Sequence, residues 1–272
     1  MSALLPIRMV EKPWGQDSLP PPFAGQSRGR IGEVWFEPPA ALPELLVKYI
    51  FTSEALSVQV HPSDAQTEAA GLGRQGKEEC WLVIDAEPGA RLGIGFRAPL
   101  DAAAMRAAAL DGSIEQLLEW HPVKAGDFFY IPANTVHAIG GGISLVEVQQ
   151  NSDITYRLYD YGRPRELHLD EGVAVARGEA HPARCRRQVP DEGQVCLVDG
   201  PLFRLDRLAG PPDAAIDARY GAEPLLVIPL RGGAAIGGEA LAPGQCGLAA
   251  SLAELSVPDD ARVLIAQPLA PA

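Results

Sequence analysis

Gln59 and His61 stand two residues apart in the run Leu56-Ser-Val-Gln-Val-His61, and both side chains can coordinate a metal ion. The run alternates strictly: Leu56, Val58 and Val60 share one face and Ser57, Gln59 and His61 the other, which is the period of a half-buried strand. At that spacing the amide and the imidazole project side by side, roughly 6–7 Å apart along the strand. If the apolar face packs outward, the pair points into an interior; if it packs inward, the pair is a polar surface facing solvent, and the two residues alone favour this second reading. Glu79 opens another apolar run, Glu79-Cys-Trp-Leu-Val-Ile84, as a third ligand on a neighbouring strand or as a surface carboxylate.

The stretch from Gly126 through Pro132-Ala-Asn134-Thr-Val-His137 shifts the balance. It follows the second cupin motif, in which a strand enters a tight turn and a histidine emerges into a barrel. Asn134 stands where that motif usually has glycine, a mild exception because Asn tolerates the left-handed backbone better than other side chains do. Gln59, His61, Glu79 and His137 together offer two imidazoles, a carboxylate and an amide oxygen. That nitrogen-and-oxygen set suits Zn²⁺ and would also accept Fe²⁺, Co²⁺ or Mn²⁺. Without Gln59 it is also the two-histidine, one-carboxylate set used by non-heme iron enzymes.

The elements expected to position these groups are short strands. Residues 30–61 alternate apolar runs with turn residues, and Glu79–Ile84 and Asp127–Ile131 read as strands, the latter launched by a Lys124-Ala-Gly-Asp turn. Asp101–Leu110 is Ala-rich with an Asp N-cap and a stop at Asp111-Gly112, and Ser113-Ile-Glu-Gln116 has the form of a capping box for a second short helix. A further short helix is expected near His168–Arg177, and 209–223 as a mobile loop. The reading is a mainly β chain: a cupin, jelly-roll barrel over 1–185 with small helical insertions around 100–120, then a degenerate second cupin-like β-domain over 186–272. No histidine follows His181, so an imidazole-based metal site is excluded from that second part. His121, His168 and His181 read as surface or structural residues, and Trp81 and Trp120 as core.

Composition narrows the function classes. With 28 Gly and 25 Pro in 272 residues, turn formers are dense enough to favour many short strands over a helical bundle. The formal charge of -12 argues against nucleic acid as a partner but leaves room for a small anion held by a few local cations. The apolar start before Arg8 is too short for a signal-peptide core, and no 18-residue apolar run occurs, so no membrane association is expected. The four cysteines form no CxxC pair and read as reduced thiols of a cytoplasmic protein.

Longer blocks carry a more specific likeness. LLVKYIFTSEALSVQVHPSD, GKEECWLVIDAEPG and AGDFFYIPANTVHAIGGGISLVEVQQNSDITYRLYDYGRP, with Trp14-Gly15 and Ile31-Gly-Glu-Val-Trp35, resemble consecutive blocks of class I mannose-6-phosphate isomerases in their short bacterial form, over roughly residues 10–170. The resemblance implies one Zn²⁺ per chain held by Gln59, His61, Glu79 and His137. It implies catalytic roles for Lys77, Arg157 and Asp153, and substrate contacts from Ser57, Lys48, Glu147 and Arg163, with Arg157, Arg163 and Lys48 against the phosphate of a small sugar phosphate. The reaction implied is interconversion of mannose 6-phosphate and fructose 6-phosphate through a cis-enediol. Read without the resemblance, Lys77 sits in a charged loop and Arg157 in a structural salt bridge. A metallocupin of other chemistry, of the non-heme iron type, and a non-catalytic sugar-phosphate-binding cupin remain the alternatives. The large helical domain of longer relatives has no counterpart, so the pocket is expected to close differently, through 62–76.

Overall fold

The computed structural model describes residues 2–26 and 29–269, and the architecture is mainly β, as expected. A seven-stranded antiparallel sheet runs in the order Arg186–Gln188, Asp127–Ile131, Glu79–Ala86, Ile143–Gln150, Leu45–Phe51, Ile31–Phe36 and Ile7–Gln16. A five-stranded sheet, ordered Tyr156–Tyr159, Val58–Val60, His137–Ile139, Arg91–Phe96 and Leu118–Pro122, closes against it. Between them lies a core of Ile50, Trp81, Val83 and Leu145 from the first sheet and Leu92, Ile94 and Ile139 from the second.

Strand alternation then gives each strand of the larger sheet two jobs. Val34, Phe36, Val47, Tyr49, Cys80, Leu82, Val146 and Val148 point away from this interior, into a second core shared with Leu197, Phe203, Leu226, Ile228 and Leu264 of the C-terminal half. Their neighbours Glu33, Trp35, Lys48, Glu79, Trp81 and Glu147 point the other way and line a cavity. On the smaller sheet, Val58 and Val60 pack under Met105, Ala108, Ala109 and Ile114 of the helical insertion, so Gln59 between them turns inward. The apolar face of that strand therefore does pack outward. Leu56, just before the strand, instead joins the inner core and lines the cavity.

The insertion forms as the caps dictate. Asp101 Oδ1 accepts a hydrogen bond from Ala104 N at 2.8 Å, and Gly112, at φ 81°, ends the helix Ala102–Asp111. The capping box expected at Ser113 does not form. Ser113 already has helical backbone angles and its side chain caps nothing, while Asp111 Oδ1 takes its N–H. A reciprocal cap lies instead at Ser63, whose N–H is accepted by Gln66 Oε1 at 2.8 Å at the head of the helix Asp64–Ala69.

Residues beyond 188 supply five strands of a six-stranded sheet, whose sixth, edge strand is Ala3–Leu4, and a three-stranded sheet, with Leu208, Val227, Ile236, Leu241 and Ile265 packed between them. The expected mobile loop over 209–223 is corrected here. Asp213 caps a helix, Ala214–Tyr220, whose Ile216 and Tyr220 are buried four residues apart, and Tyr220 donates to Asp206 Oδ2 at 2.9 Å. The Pro-Pro-Asp lead-in masked an ordinary capped, amphipathic turn. No helix among the described residues is long and apolar enough to cross a membrane.

Candidate metal centre and the cavity above it

His61, Glu79 and His137 converge with their ligand atoms within 4.8 Å of one another, all buried. Their convergence follows from register. His137 lies directly across from Gln59 on the smaller sheet, and Glu79 enters from the larger one. Asn134 at φ 72° makes the turn that delivers His137, and its N–H is held by His61 O at 2.8 Å. Both imidazoles are fixed in the tautomer a metal requires. His61 Nδ1 donates to Ile154 O at 2.8 Å and His137 Nδ1 to Thr135 O at 2.9 Å, so each Nε2 presents its lone pair to the centre. Burial holds both rings below the ordinary imidazole range, with the Lys77 charge adding to the effect at His61, so both are neutral near pH 7.

His137 Nε2 is 3.3 Å and His61 Nε2 3.7 Å from the Glu79 carboxylate. Neither buried Glu79 oxygen receives a well-directed hydrogen bond. Lys77 Nζ, 2.7 Å from Oε2, is an ion-pair contact. Two under-satisfied carboxylate oxygens facing two lone pairs fit a divalent cation. Burial alone would raise the Glu79 carboxyl, but the Lys77 ammonium beside it, helped by Lys48, outweighs the burial and keeps the group ionised. The fourth expected ligand, Gln59, has Nε2 3.3 Å from His137 Nε2 and Oε1 accepting from Ser57 Oγ at 3.1 Å. Turning that amide over would offer Oε1 to the centre while Nε2 donates to Ser57 Oγ.

Above these residues lies a cavity of about 270 Å³. Lys48, Ser57, Gln59, Lys77, Glu79, Glu147, Asp153 and Arg157 all line it. Lys77 points inward toward Glu79; its N–H is held by Pro62 O at 2.9 Å, and Gly76 passes so close to the same carbonyl that a Cβ there would sit 2.4 Å from it. The row Trp35, Lys48, Glu147, Trp81 crosses four adjacent strands in register. Along it, Lys48 Nζ is 3.0 Å from Glu147 Oε1 and lies over the Trp35 ring, and Trp81 Nε1 donates to Glu147 Oε2 at 3.0 Å. Glu147 is therefore fully engaged by its neighbours, and Lys48 is the member of that pair with a donor to spare.

Arg163 is absent from the cavity lining. Its guanidinium is taken by Asp160, Glu54 and Ala55 O. Arg165 lines the cavity instead, its Nε and one terminal nitrogen held by Asp160 at 2.6 and 2.7 Å. Sequence reasoning also missed Lys12, Glu33 and Trp35, which line the same wall. Lys12 pairs with Glu33 at 3.2 Å, and Trp35 donates to Glu33 at 2.6 Å. Period-two alternation in Ile31–Phe36 carried that signal. No lining residue comes from 62–76; that side is built by Asp153, Thr155, Arg157 and Arg165. Three lysines are each matched by a glutamate, whereas Arg157 has no carboxylate within 4 Å among the described residues and makes only a long contact to Glu166 O.

No family model matches the chain. Mannose-6-phosphate isomerase ManA of Bacillus subtilis is 39% identical over 172 residues, which is 60% of this chain and 54% of that protein. The match thus spans about half the relative's length. The crystal structure of the Bacillus subtilis mannose 6-phosphate isomerase superposes with a TM-score of 0.76 at 22% identity, over 97% of this chain and 98% of the other. The sequence resemblance to mannose-6-phosphate isomerases holds, and the fold is theirs. A zinc-bound mannose 6-phosphate isomerase structure also superposes, with a TM-score of 0.73 at 15% identity over 99% and 100% of the two chains.

Proposed function

We propose that this chain is a zinc-dependent aldose–ketose isomerase interconverting mannose 6-phosphate and fructose 6-phosphate. The observation that carries the reading is a cavity whose wall holds Glu79, the carboxylate of the His61–Glu79–His137 cluster, together with Arg157, which has no carboxylate within 4 Å among the described residues. The sequence match to ManA supports the same substrate.

One Zn²⁺ per chain, held by His61, Glu79 and His137 with Gln59 turned to offer its oxygen, would supply positive charge beside the substrate's carbonyl and hydroxyl oxygens. The rest falls to side chains. Isomerisation moves a proton between adjacent carbons through an enediolate, and negative charge grows on oxygen as it does so. Lys77 is buried, yet Glu79 and Glu147 outweigh the burial and keep it an ammonium, suited to donating to that oxygen. Ser57 and Lys48 are donors for the sugar hydroxyls, and Asp153, exposed at the rim, is placed to exchange protons with solvent. Arg157, with Arg165 beside it, takes the phosphate; this replaces the expected role of Arg163. A cytoplasmic location is part of this proposal and rests on the four unpaired cysteines.

The test is a coupled assay on mannose 6-phosphate, with and without a chelator. Turnover that vanishes with chelator and returns with zinc is expected. No turnover from zinc-loaded protein at saturating substrate would reject the proposal in favour of a binding protein, and iron as the only metal restoring a reaction would point to oxygenase-type chemistry.

A further inference from the structure

Gln149 is fully buried and lies directly across from Glu79 in the larger sheet, but it reaches neither the metal cluster nor the cavity lining. Its amide spans two parts of the site. Oε1 is 2.5 Å from Lys48 Nζ, while Nε2 donates to Gln150 O at 2.7 Å and to Ser152 O at 2.8 Å. The carbonyls it grips belong to the turn that leads into Asp153 and Ile154. Ile154 O is the acceptor that fixes His61 Nδ1. One side chain thus ties the Lys48–Glu147 pair to the backbone that orients a metal-ligating histidine.

We propose that Gln149 is a positioning residue of the site. Through the Ser152–Ile154 turn it holds Ile154 O on His61, and through Oε1 it steadies the Lys48 ammonium so that one donor faces the substrate. The chemistry fits an amide and no other side chain of this size, because the position needs an acceptor toward a cation and two donors toward carbonyls. A carboxylate would lose the donors and a hydrocarbon would lose all three contacts. This inference rests on the isomerase reading only for the Lys48 arm; the His61 arm concerns metal binding alone.

The experiment uses Gln149→Met, of similar volume, and Gln149→Asn, which keeps an amide but is too short to span both partners. Zinc affinity is read by competition with a chromophoric chelator, well below the melting temperature of each protein. Both variants should bind zinc about 10- to 100-fold more weakly, the range for losing an outer partner of a metal-bound histidine. At saturating zinc, kcat/KM for mannose 6-phosphate should fall further in Gln149→Met, with KM rising as Lys48 loosens. A purely structural role would lower the melting temperature and leave the zinc affinity of the folded protein at the wild-type value, and that result in either variant overturns the proposal. Failure of both variants to fold would overturn it as well, since Gln149 would then hold the fold and not the site. If the wild type shows no turnover, the zinc arm still decides.

Discussion

Replacing Lys77 by Met should destabilise the metal-free protein severely and yet tighten zinc binding. Lys77 Nζ lies 2.7 Å from Glu79 Oε2 and 3.2 Å from His61 Nε2, so it faces the same two atoms a metal would use. Both partners are buried, Lys77 5% exposed and Glu79 1%. At an effective dielectric of about 20 the Coulomb attraction at that distance is roughly 6 kcal/mol, and breaking one side of a buried pair typically costs about 3–5 kcal/mol because the other charge is stranded. For a chain of this size that is a drop of about 6–20 °C in the melting temperature of chelator-treated protein. With zinc bound, the dication neutralises Glu79 in place of Lys77, and the same substitution should cost much less. By the closed cycle, the difference between the two costs appears as zinc affinity, and a difference of only about 1.4 kcal/mol is tenfold. Thermal melts with and without chelator, beside a zinc titration, measure every leg. A metal-free variant within about 1 kcal/mol of wild type, or zinc bound more weakly than by wild type, would refute the reasoning. Turnover should meanwhile fall by at least about a hundredfold in kcat/KM, or ~2.7 kcal/mol, because the ammonium is the donor proposed for the developing oxyanion.

Three further outcomes are expected. His137→Ala removes a ligand and should leave the purified protein nearly zinc-free by elemental analysis, since one lost ligand commonly costs several kcal/mol of metal affinity. Arg157→Ala should lower kcat/KM for the phosphorylated sugar about a hundredfold with little change in melting temperature, whereas Arg163→Ala, which breaks contacts to Asp160 and Glu54, should spare kcat/KM and reduce stability; steady-state kinetics beside thermal melts separate the two. Chelator-treated protein should lose stability as pH falls below about 6.5. Burial holds His61 and His137 below that ordinary value, so in this window the unfolded chain binds protons that the folded one refuses; denaturant titrations from pH 7.5 to 5 would detect this, and a flat profile would contradict it.

The alternation in Leu56–His61 and the spacing around His137 were enough to place Gln59 and His137 on strands and His61 at the end of one, because side-chain direction on a strand is set by parity. Asn134 in the left-handed region was legible for a similar reason, since few other side chains accept that backbone. Lys77 was not: in GRQGKEE it reads as a solvated loop, and its inward place comes with contacts no local pattern shows, its N–H on Pro62 O and its ammonium on Glu79. Arg163 and Arg165 differ by two positions in the same polar stretch, and which one faces the cavity depends on Asp160, buried between them, a long-range fact with no local signature. The helix over Ala214–Tyr220 was hidden by its neighbours' composition, although its cap and its Ile216–Tyr220 pair were both in view.

The larger sheet has only core on one side and reactive groups mixed with a second core on the other, with the two faces assigned to alternate residues of the same strands. Such a wall can be rewritten one letter at a time but cannot change length. Inserting or deleting a single residue within Leu45–Phe51, Glu79–Ala86 or Ile143–Gln150 would exchange every later address on that strand, sending Tyr49 or Val148 into the cavity and Lys48 or Glu147 into the oil. Divergence among proteins built this way should therefore show substitutions within these strands and gaps confined to the turns between them. The same constraint tells a protein engineer where a loop may be grafted, and where even one added codon would erase the site.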